Sequence, residues 1–253
     1  MECSSLNSVI LINSSKRKKN TYMILKEISE ILNENDISTE IINLHDYNIK
    51  FCNGCEVCVK NGGCPIKDDT ELILKKISDS DGIVIGTPVY LNNMSGILKT
   101  FIDRTCSWFH RSEVYQKPVL IAVNTRGSGI KNTKKSIDEV LIQWGVNRCG
   151  VVSRTGTTMK NSIDKNEVSA FIDAIKKEGK GYKPSMKEIF TYNMQRSMAN
   201  NLFQIDRGYW ETKGWMDKPY FPESNSGIIK STFGELLYRF MCKVIKPIDK
   251  NKI

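Results

Sequence analysis

Histidines and long apolar runs are scarce in this sequence, and each scarcity excludes a class of protein. Only His45 and His110 occur among the 253 residues, so histidine-based catalysis has little support, and we expect His110 to be a packed or surface residue. No apolar run approaches the roughly 20 residues that a membrane-spanning helix needs. The N-terminus has no basic stretch ahead of an apolar segment. We therefore expect no secretory signal, no membrane association and a cytoplasmic location.

Nucleic-acid motifs are also missing, although the chain is basic. Its 37 basic and 28 acidic residues give a net charge of +9. This excess attracts anions such as phosphorylated cofactors or nucleic acids, but lysine-rich solvated surfaces produce it equally well. No zinc finger, helix-turn-helix signature or RNA-binding aromatic motif accompanies the charge. We therefore expect no nucleic-acid partner.

Strand and helix patterns alternate along the first 180 residues. Short apolar or β-branched runs predict five strands, at residues 8–13, 38–44, 82–87, 118–124 and 147–153. Apolar residues at helical spacing predict helices at 20–35, 68–77, 95–109, 131–144 and 164–177. This alternation predicts an α/β fold, a doubly wound parallel sheet in the common order 2-1-3-4-5. We expect residues 1–180 to form this domain.

The pattern changes after about Gly179. Gly179, Gly181 and Pro184 mark a boundary, and a last helix is predicted at 232–245. Aromatic residues are frequent beyond the boundary: Phe190, Tyr192, Phe203, Tyr209, Trp210, Trp215, Tyr220 and Phe221. Because aromatic residues are enriched in interface cores, we expect residues 181–253 to form a helical extension that packs on a second subunit of a homodimer or larger assembly.

Three loops should meet at one edge of the predicted sheet, at residues 13–21, 87–96 and 124–130. Ligands of such sheets bind at the carboxyl ends of the strands, near the point where the strand order reverses. The first loop carries hydroxyls, Lys and Arg ahead of a helix, which suits a phosphate. The alternative is a polar connection in which Asn20 or Thr21 caps the helix.

The second loop has features that suit a flat aromatic ligand. Tyr90 and Met94 would pack on such a ligand, while Asn93 and Ser95 would hydrogen-bond its polar edge. The alternative is a tyrosine packed under the following helix, with Asn93 or Ser95 as the cap. In the third loop, residues 125–129, two glycines would allow close backbone approach.

Four of the eight cysteines lie within thirteen residues, at Cys52, Cys55, Cys58 and Cys64. The other four are scattered: Cys3, Cys106, Cys149 and Cys242. Four soft sulfur ligands match a [4Fe–4S] cluster or a tetrahedral zinc ion. Three cysteines at steps of three favour the cluster, since zinc sites more often show two separated Cys-x2-Cys pairs. Free thiols in an exposed loop are the third interpretation.

The first two loops resemble the flavodoxin-like NAD(P)H-dependent FMN reductases, over residues 8–178. The similarity is carried by NSSKRKKNT at 13–21 and by GTPVYLNNMSGILKTFIDR at 86–104. It implies FMN as the cofactor and NAD(P)H as the co-substrate. It assigns the FMN phosphate to Ser14, Lys16, Asn20 and Thr21. It assigns the isoalloxazine ring to Pro88, Tyr90, Asn93, Met94 and Ser95, and its pyrimidine edge to the third loop with Thr125 and Gly127.

Two positions depart from that family's pattern. Asn13 stands where relatives usually have Gly, and Lys16 where they usually have Arg. Lysine keeps the charge but lacks the bidentate guanidinium, so the resemblance predicts FMN binding weaker than is usual in the family.

The cysteine motif resembles that of the iron–sulfur flavoproteins, a branch of the same fold with a cluster-binding loop after strand two. The resemblance implies an oxidoreductase that moves electrons from NAD(P)H or a reduced carrier through FMN, and via a [4Fe–4S] cluster held by the four clustered cysteines, to an acceptor. Its partners would be small-molecule or protein electron donors and acceptors. Two alternatives stay open: a cluster-free reductase of flavins, quinones or nitro compounds, and a non-catalytic electron carrier or redox sensor.

Overall fold

The computed structural model describes residues 7–246. The predictions about the N-terminal residues and Cys3 lie outside the described residues, as does the end of the extension from residue 247. Within the described range, no helix is long and apolar enough to cross a membrane.

Five parallel strands form one sheet in the order 2-1-3-4-5 that the sequence predicts. The strands are β1 (Ser8–Asn13), β2 (Ser38–Asn43), β3 (Gly82–Pro88), β4 (Pro118–Asn124) and β5 (Asn147–Arg154). β3 and β4 are buried along their whole length, because helices cover both faces of the sheet. The strand order reverses between β1 and β3, so the crevice between their carboxyl ends is the expected ligand position.

Seven helices belong to the part of the chain that carries the sheet. They are α1 (Asn20–Asn33), α2 (Val57–Asn61), α3 (Thr70–Asp79), α4 (Gly96–Asp103), α5 (Cys106–His110), α6 (Ile130–Trp144) and α7 (Asn166–Lys176). A short 3-10 helix at Leu44–Asp46 follows β2. Side chains of α3, α4 and α6 pack on one face of the sheet, and those of α1 and α7 on the other.

The single helix predicted at 95–109 is two helices, α4 and α5, separated by Arg104 and Thr105. The Thr105 hydroxyl donates to the carbonyl of Ile102 at 2.7 Å and accepts from the Trp144 indole at 3.1 Å. A threonine that binds a helix carbonyl competes with the helical backbone pattern. The break places Arg104 and Cys106 just after the last residue of α4, at the opposite end of this helix from the loop that follows β3.

Three helices follow the boundary: α8 (Met186–Asn201), α9 (Gln204–Thr212) and α10 (Gly227–Val244). The sequence predictions include neither α8 nor α9, and the apolar pattern of α8 is weak along its length. A different signal was present, since Ser185 and Glu188 form a capping box at the start of α8. The α10 helix begins five residues before the predicted position.

The aromatic residues of the extension pack mainly within their own chain, which corrects the expectation that they pack on a partner. The buried members are Tyr192, Trp210, Trp215, Tyr220 and Phe221, and Tyr115 packs against them. Their burial therefore needs no second subunit. The large apolar side chains that α10 leaves exposed are Ile228, Ile229, Phe233, Leu236, Phe240 and Val244.

Candidate functional site

Hydrogen bonds join the loops that follow β1 and β3. The N–H and hydroxyl of Ser14 both donate to the carbonyl of Gly86, at 3.1 and 2.9 Å. The hydroxyl of Ser95 donates to the carbonyl of Ser14 at 3.3 Å. Both serines are buried. Their hydroxyl groups therefore hold the two loops together. Because both hydroxyls donate to backbone carbonyls, the serines shape the loops rather than donate to a ligand.

Helix α1 begins beside these loops with unsatisfied donors. The N–H groups of Asn20, Thr21 and Tyr22 have no backbone acceptor within residues 7–246, and no side chain there caps the helix. The Thr21 hydroxyl, one of the two predicted caps, instead donates to Asn124 Oδ1 at 2.6 Å. Exposed Lys16 lies in the same loop. Free N–H groups at the positive end of a helix, with a lysine in the preceding loop, are the features from which anion-binding sites are built.

A tight turn closes the loop after β3. Tyr90 and Asn93 exchange backbone hydrogen bonds of 2.8 and 3.0 Å, and the residues between them, Leu91 and Asn92, have φ values of 46° and 62°. Positive φ at both central positions is typical of a type I′ turn. Tyr90 is 58% exposed and Leu91 fully exposed, so Tyr90 is not packed under the next helix. The turn presents an apolar surface at the sheet edge.

Three of the residues predicted to contact a ligand from this loop have structural roles instead. Met94 is 7% exposed and packs in the core, so it is not the open apolar group that the sequence predicts. Asn93 Oδ1 accepts a hydrogen bond from the Met94 N–H at 2.8 Å. Pro88 is buried as the last residue of β3. Leu91 was missed, because nothing in the sequence marks a leucine with positive φ.

The third loop touches the second at Gly129. With φ at +100°, a Cβ on Gly129 would lie 2.7 Å from both Val89 Cγ1 and Asn92 Oδ1. At Gly127 an added Cβ would meet no atom within 4 Å, so the close approach predicted for this loop falls on Gly129. Thr125 is buried, and its hydroxyl donates to the carbonyl of Ser128 at 2.9 Å.

Two acidic residues close the base of the cysteine loop, which we define as residues 51–67. Asp69 accepts from the N–H of Asn48 at 2.7 Å, and Asp68 from the N–H of Lys50 at 2.8 Å. Asp68 is also paired with buried Arg104. Burial raises the pKa of Asp68, but hydrogen bonds from Arg104 and from backbone N–H groups outweigh it and lower this pKa to about 2. Asp68 and Asp69 therefore do more than precede the start of α3. They join the segment after the cysteine loop to the segment before it.

Arg104 reaches into the cysteine loop from the end of α4. Its guanidinium donates to the carbonyls of Lys50 and Ile66 at 3.0 and 3.2 Å. Its Nη2 lies 3.5 Å from Cys64 Sγ. The buried guanidinium therefore places a hydrogen-bond donor and a positive charge beside the sulfur of Cys64.

Arg111, just after α5, holds the other side of the loop. It donates to the carbonyls of Cys58 and Val59 and pairs with Asp206 of α9. Asp206 is 1% exposed and also lies 3.0 Å from the Nδ1 of His110, which is packed rather than ligating. Asp206 of the C-terminal extension thus holds Arg111 in place, and Arg111 in turn holds the cysteine loop.

A fifth cysteine joins the thiols of the loop. Cys106, at the start of α5, is a neighbour of Cys58, as are Cys52 and Cys64. Burial, with these neighbouring thiols, raises the pKa of Cys58 to about 11. Cys52 and Cys106 also line a cavity of about 550 Å³ beside Trp144. Sequence reasoning missed Cys106 because it lies 42 positions beyond Cys64.

The thiols of the loop are of the chemical kind that iron–sulfur clusters use, since such clusters are held by cysteine sulfurs. Within the described range, however, no three His, Cys, Asp or Glu side chains are arranged to hold a metal ion. The chemistry of the donor set therefore fits a cluster, while residues 7–246 show no formed metal site.

The cysteine loop and the three-loop edge lie at different ends of α4. The loop leaves the sheet after β2, but its cysteines meet Arg104 and Cys106, beyond the last residue of α4. Loop 87–95 precedes the first residue of that helix. Eight helical residues span about 12 Å. The thiols that meet Arg104 therefore lie about one length of α4 from the three-loop edge.

These features define a flavodoxin-like α/β protein with an uncapped helix start at its sheet edge and a separate cysteine loop. Residues 7–162 match the family model described as NADPH-dependent FMN reductase, and the chain belongs to that family.

Two relatives carry the name iron-sulfur flavoprotein. One, from Archaeoglobus fulgidus, is 45% identical over 97 residues, a match covering 38% of this chain and 48% of that protein. The chain thus spans about half the length of that relative. The other, from Clostridioides difficile, is 31% identical over 170 residues, covering 63% of this chain and 72% of that protein.

Solved structures show the same fold. A crystal structure of RosB with bound 8-demethyl-8-formylriboflavin-5'-phosphate aligns with a TM-score of 0.55 at 12% identity, covering 68% of this chain and 79% of that chain. A flavone reductase aligns with a TM-score of 0.52 at 17% identity, covering 67% and 63%.

Proposed function

We propose that this protein is an FMN-dependent oxidoreductase that takes electrons from NAD(P)H or a reduced carrier and delivers them to an acceptor through a [4Fe–4S] cluster in the cysteine loop. The observation that carries the proposal is the uncapped start of α1, where three backbone N–H groups beside the joined loops find no acceptor among residues 7–246. Membership of the FMN reductase family supports FMN as the anion's source.

Bound FMN would supply the redox chemistry, since a flavin accepts a hydride and can release electrons singly. The chain's own groups would bind and orient it. The N–H groups of Asn20 and Thr21 would donate to the phosphate, with Lys16 adding positive charge. Tyr90 and Leu91 would cover one face of the ring and exclude water there. The third loop, with Thr125 and Gly127, would contact the polar edge.

The cysteine loop is proposed as the cluster site. Cys52, Cys55, Cys58 and Cys64 are the ligands that the motif predicts. Three of them, with Arg104 beside Cys64, lie around the same part of the loop. Two relatives named iron-sulfur flavoproteins support this proposal. The length of α4, about 12 Å, would separate the cluster region from the flavin edge within one chain.

We also propose a homodimer, for a reason other than the aromatic residues. Ile229, Phe233, Leu236, Phe240 and Val244 lie at helical spacing on α10 and are exposed. Two such apolar stripes would bury each other. Light scattering at micromolar concentration tests this, and a monomer would leave the stripe to another partner.

A cluster-free NAD(P)H-dependent reductase is the second candidate, favoured by the absence of a single-ion arrangement within residues 7–246. Anaerobic turnover distinguishes the candidates. The proposal predicts that full-length protein with bound FMN oxidises NADH or NADPH when an artificial one-electron acceptor is present. Activity that is unchanged after iron chelation would favour the second candidate. No oxidation of either nucleotide or of a reduced carrier would leave a non-catalytic sensor.

A further inference from the structure

A cavity of about 550 Å³ opens between α4, α5, α6 and the cysteine loop. Its volume lies in the range of small-molecule sites, which runs from about 300 to about 1,000 Å³. Four side chains form its apolar walls: Ile102, Phe109, Val140 and Trp144. The cavity is separate from the three-loop edge, because none of its lining residues belongs to the three loops.

Trp144 gives the cavity a preformed aromatic wall. Its indole N–H donates to the Thr105 hydroxyl at 3.1 Å, and its ring packs edge-on against Trp108 with the ring centroids 5.0 Å apart. Only 3% of Trp144 is exposed, so the surrounding structure holds the ring in place. Partly buried Phe109 adds a second aromatic surface. Two aromatic rings in one lining favour an aromatic ligand, because aromatic rings attract each other beyond the area that they bury.

The polar groups around the cavity present little net charge to a ligand. Among the lining residues that the structure describes, only Lys99 and Asp103 are charged, and they form an ion pair with each other. The Thr105 hydroxyl is already used, because it donates to a helix carbonyl at 2.7 Å and accepts from Trp144. The exposed side-chain amide of Gln143 makes no hydrogen bond within residues 7–246. This lining therefore matches an uncharged ligand that accepts one hydrogen bond.

We propose that this cavity is a second small-molecule site, which binds an uncharged aromatic carbonyl compound. The ring system would pack against Trp144 and Phe109, and the carbonyl would accept a hydrogen bond from the Gln143 amide. The inference goes beyond the proposed function, because it requires neither FMN nor a cluster. A molecule bound here would contact the cysteine loop, since Cys52 and Gly54 belong to the same lining.

Equilibrium dialysis of the full-length protein with Prodan, an uncharged naphthalene ketone, tests this site. The protein is first saturated with FMN so that the three-loop edge is occupied. Val140→Phe should weaken Prodan binding by about tenfold, because the added ring takes up space in the cavity. Lys134→Phe is the matched control, since this exposed residue lies on the same helix outside the cavity. The control should bind Prodan as the wild type does.

Gln143→Met separates the carbonyl contact from the apolar packing. Methionine has a similar length but no N–H donor, so Prodan should bind about fivefold more weakly, as the loss of one neutral hydrogen bond implies. N-phenyl-1-naphthylamine, an uncharged aromatic probe without a carbonyl, should bind no more weakly than to the wild type. Urea unfolding checks that each variant is folded. If Val140→Phe does not fold, the inference is decided on Gln143→Met, which changes an exposed residue.

Three results would overturn the inference. The first is a wild type that binds no Prodan, or that binds it no better than folded Val140→Phe. The second is loss of binding in Phe240→Ser with normal binding in Val140→Phe, which would place the probe on exposed α10 instead. The third is release of Prodan when the protein is loaded anaerobically with ferrous iron and sulfide, which would make the cavity part of the proposed cluster site.

Discussion

The three-loop edge and the cysteine loop are held in place by different forces. Hydrogen bonds from backbone and hydroxyl groups, such as those of Ser14 and Ser95, join the edge loops. These loops lie together because each follows the carboxyl end of a strand in the parallel sheet. The cysteine loop is held by charged side chains from distant positions, among them Arg104, Arg111 and Asp206. The three-loop edge should therefore keep its structure when a mutation disrupts the contacts of the cysteine loop. Mutations should thus be able to affect one site without the other.

The largest expected effect comes from Asp206→Ala, which leaves Arg111 buried without its carboxylate partner. Removing one member of a buried ion pair costs about 3–5 kcal/mol. We expect lower stability in urea unfolding and loss of iron uptake, while FMN binding of the folded fraction persists. The control is Glu211→Ala, which removes an exposed pair with Arg207 and should leave stability nearly unchanged. Equal loss of FMN and iron in Asp206→Ala would show that the two sites are not separable.

Gly129→Ala tests the edge instead. Positive φ and the contacts with Val89 and Asn92 should cost about 1–3 kcal/mol and move the third loop away from the second. FMN should bind more weakly by fluorescence titration, with iron uptake unchanged. Gly127→Ala is the matched control, since its Cβ enters open space. The same FMN affinity in both variants would contradict the loop contact.

Acid should weaken the ion pair between Asp68 and Arg104 at the base of the cysteine loop. Its folded pKa of about 2 lies below the ordinary aspartate value of 3.8, so the pair with Arg104 stabilises fully above pH 4 and is lost as the pH falls toward 2. This difference corresponds to about 2 kcal/mol. Urea unfolding from pH 5 to pH 2 measures it. Asp68→Asn should flatten this dependence, whereas the exposed Asp79→Asn should keep it.

Lys16→Ala should give the smallest of these effects and act only at the edge. A charged hydrogen bond contributes about 1.5–3 kcal/mol, and exposure of Lys16 places the change at the lower limit, about tenfold in FMN affinity. Isothermal titration of the apo-protein with FMN measures it. Lys176→Ala, at the end of α7, is the control. Unchanged affinity in Lys16→Ala would remove this lysine from the phosphate site.

The sheet, its order and the edge loops follow from local sequence, because strand periodicity and parallel topology place the carboxyl ends together. The detail within those loops does not. Met94 looked available but is buried in the core, and Leu91 adopts a positive φ that no local pattern indicates. The cysteine motif was visible, yet Cys106 was not, since its approach depends on ion pairs between residues far apart in sequence. Asp206 was invisible for the same reason.

FMN and iron counted on one anaerobic preparation of the full-length protein test the central claim most directly. The ultraviolet–visible spectrum, protein-bound FMN, iron and acid-labile sulfide are measured together. The account predicts one FMN per chain with about four iron and about four sulfide. A protein with FMN but no iron, or with zinc in its place, would contradict the cluster; a protein that binds no FMN would contradict the account as a whole.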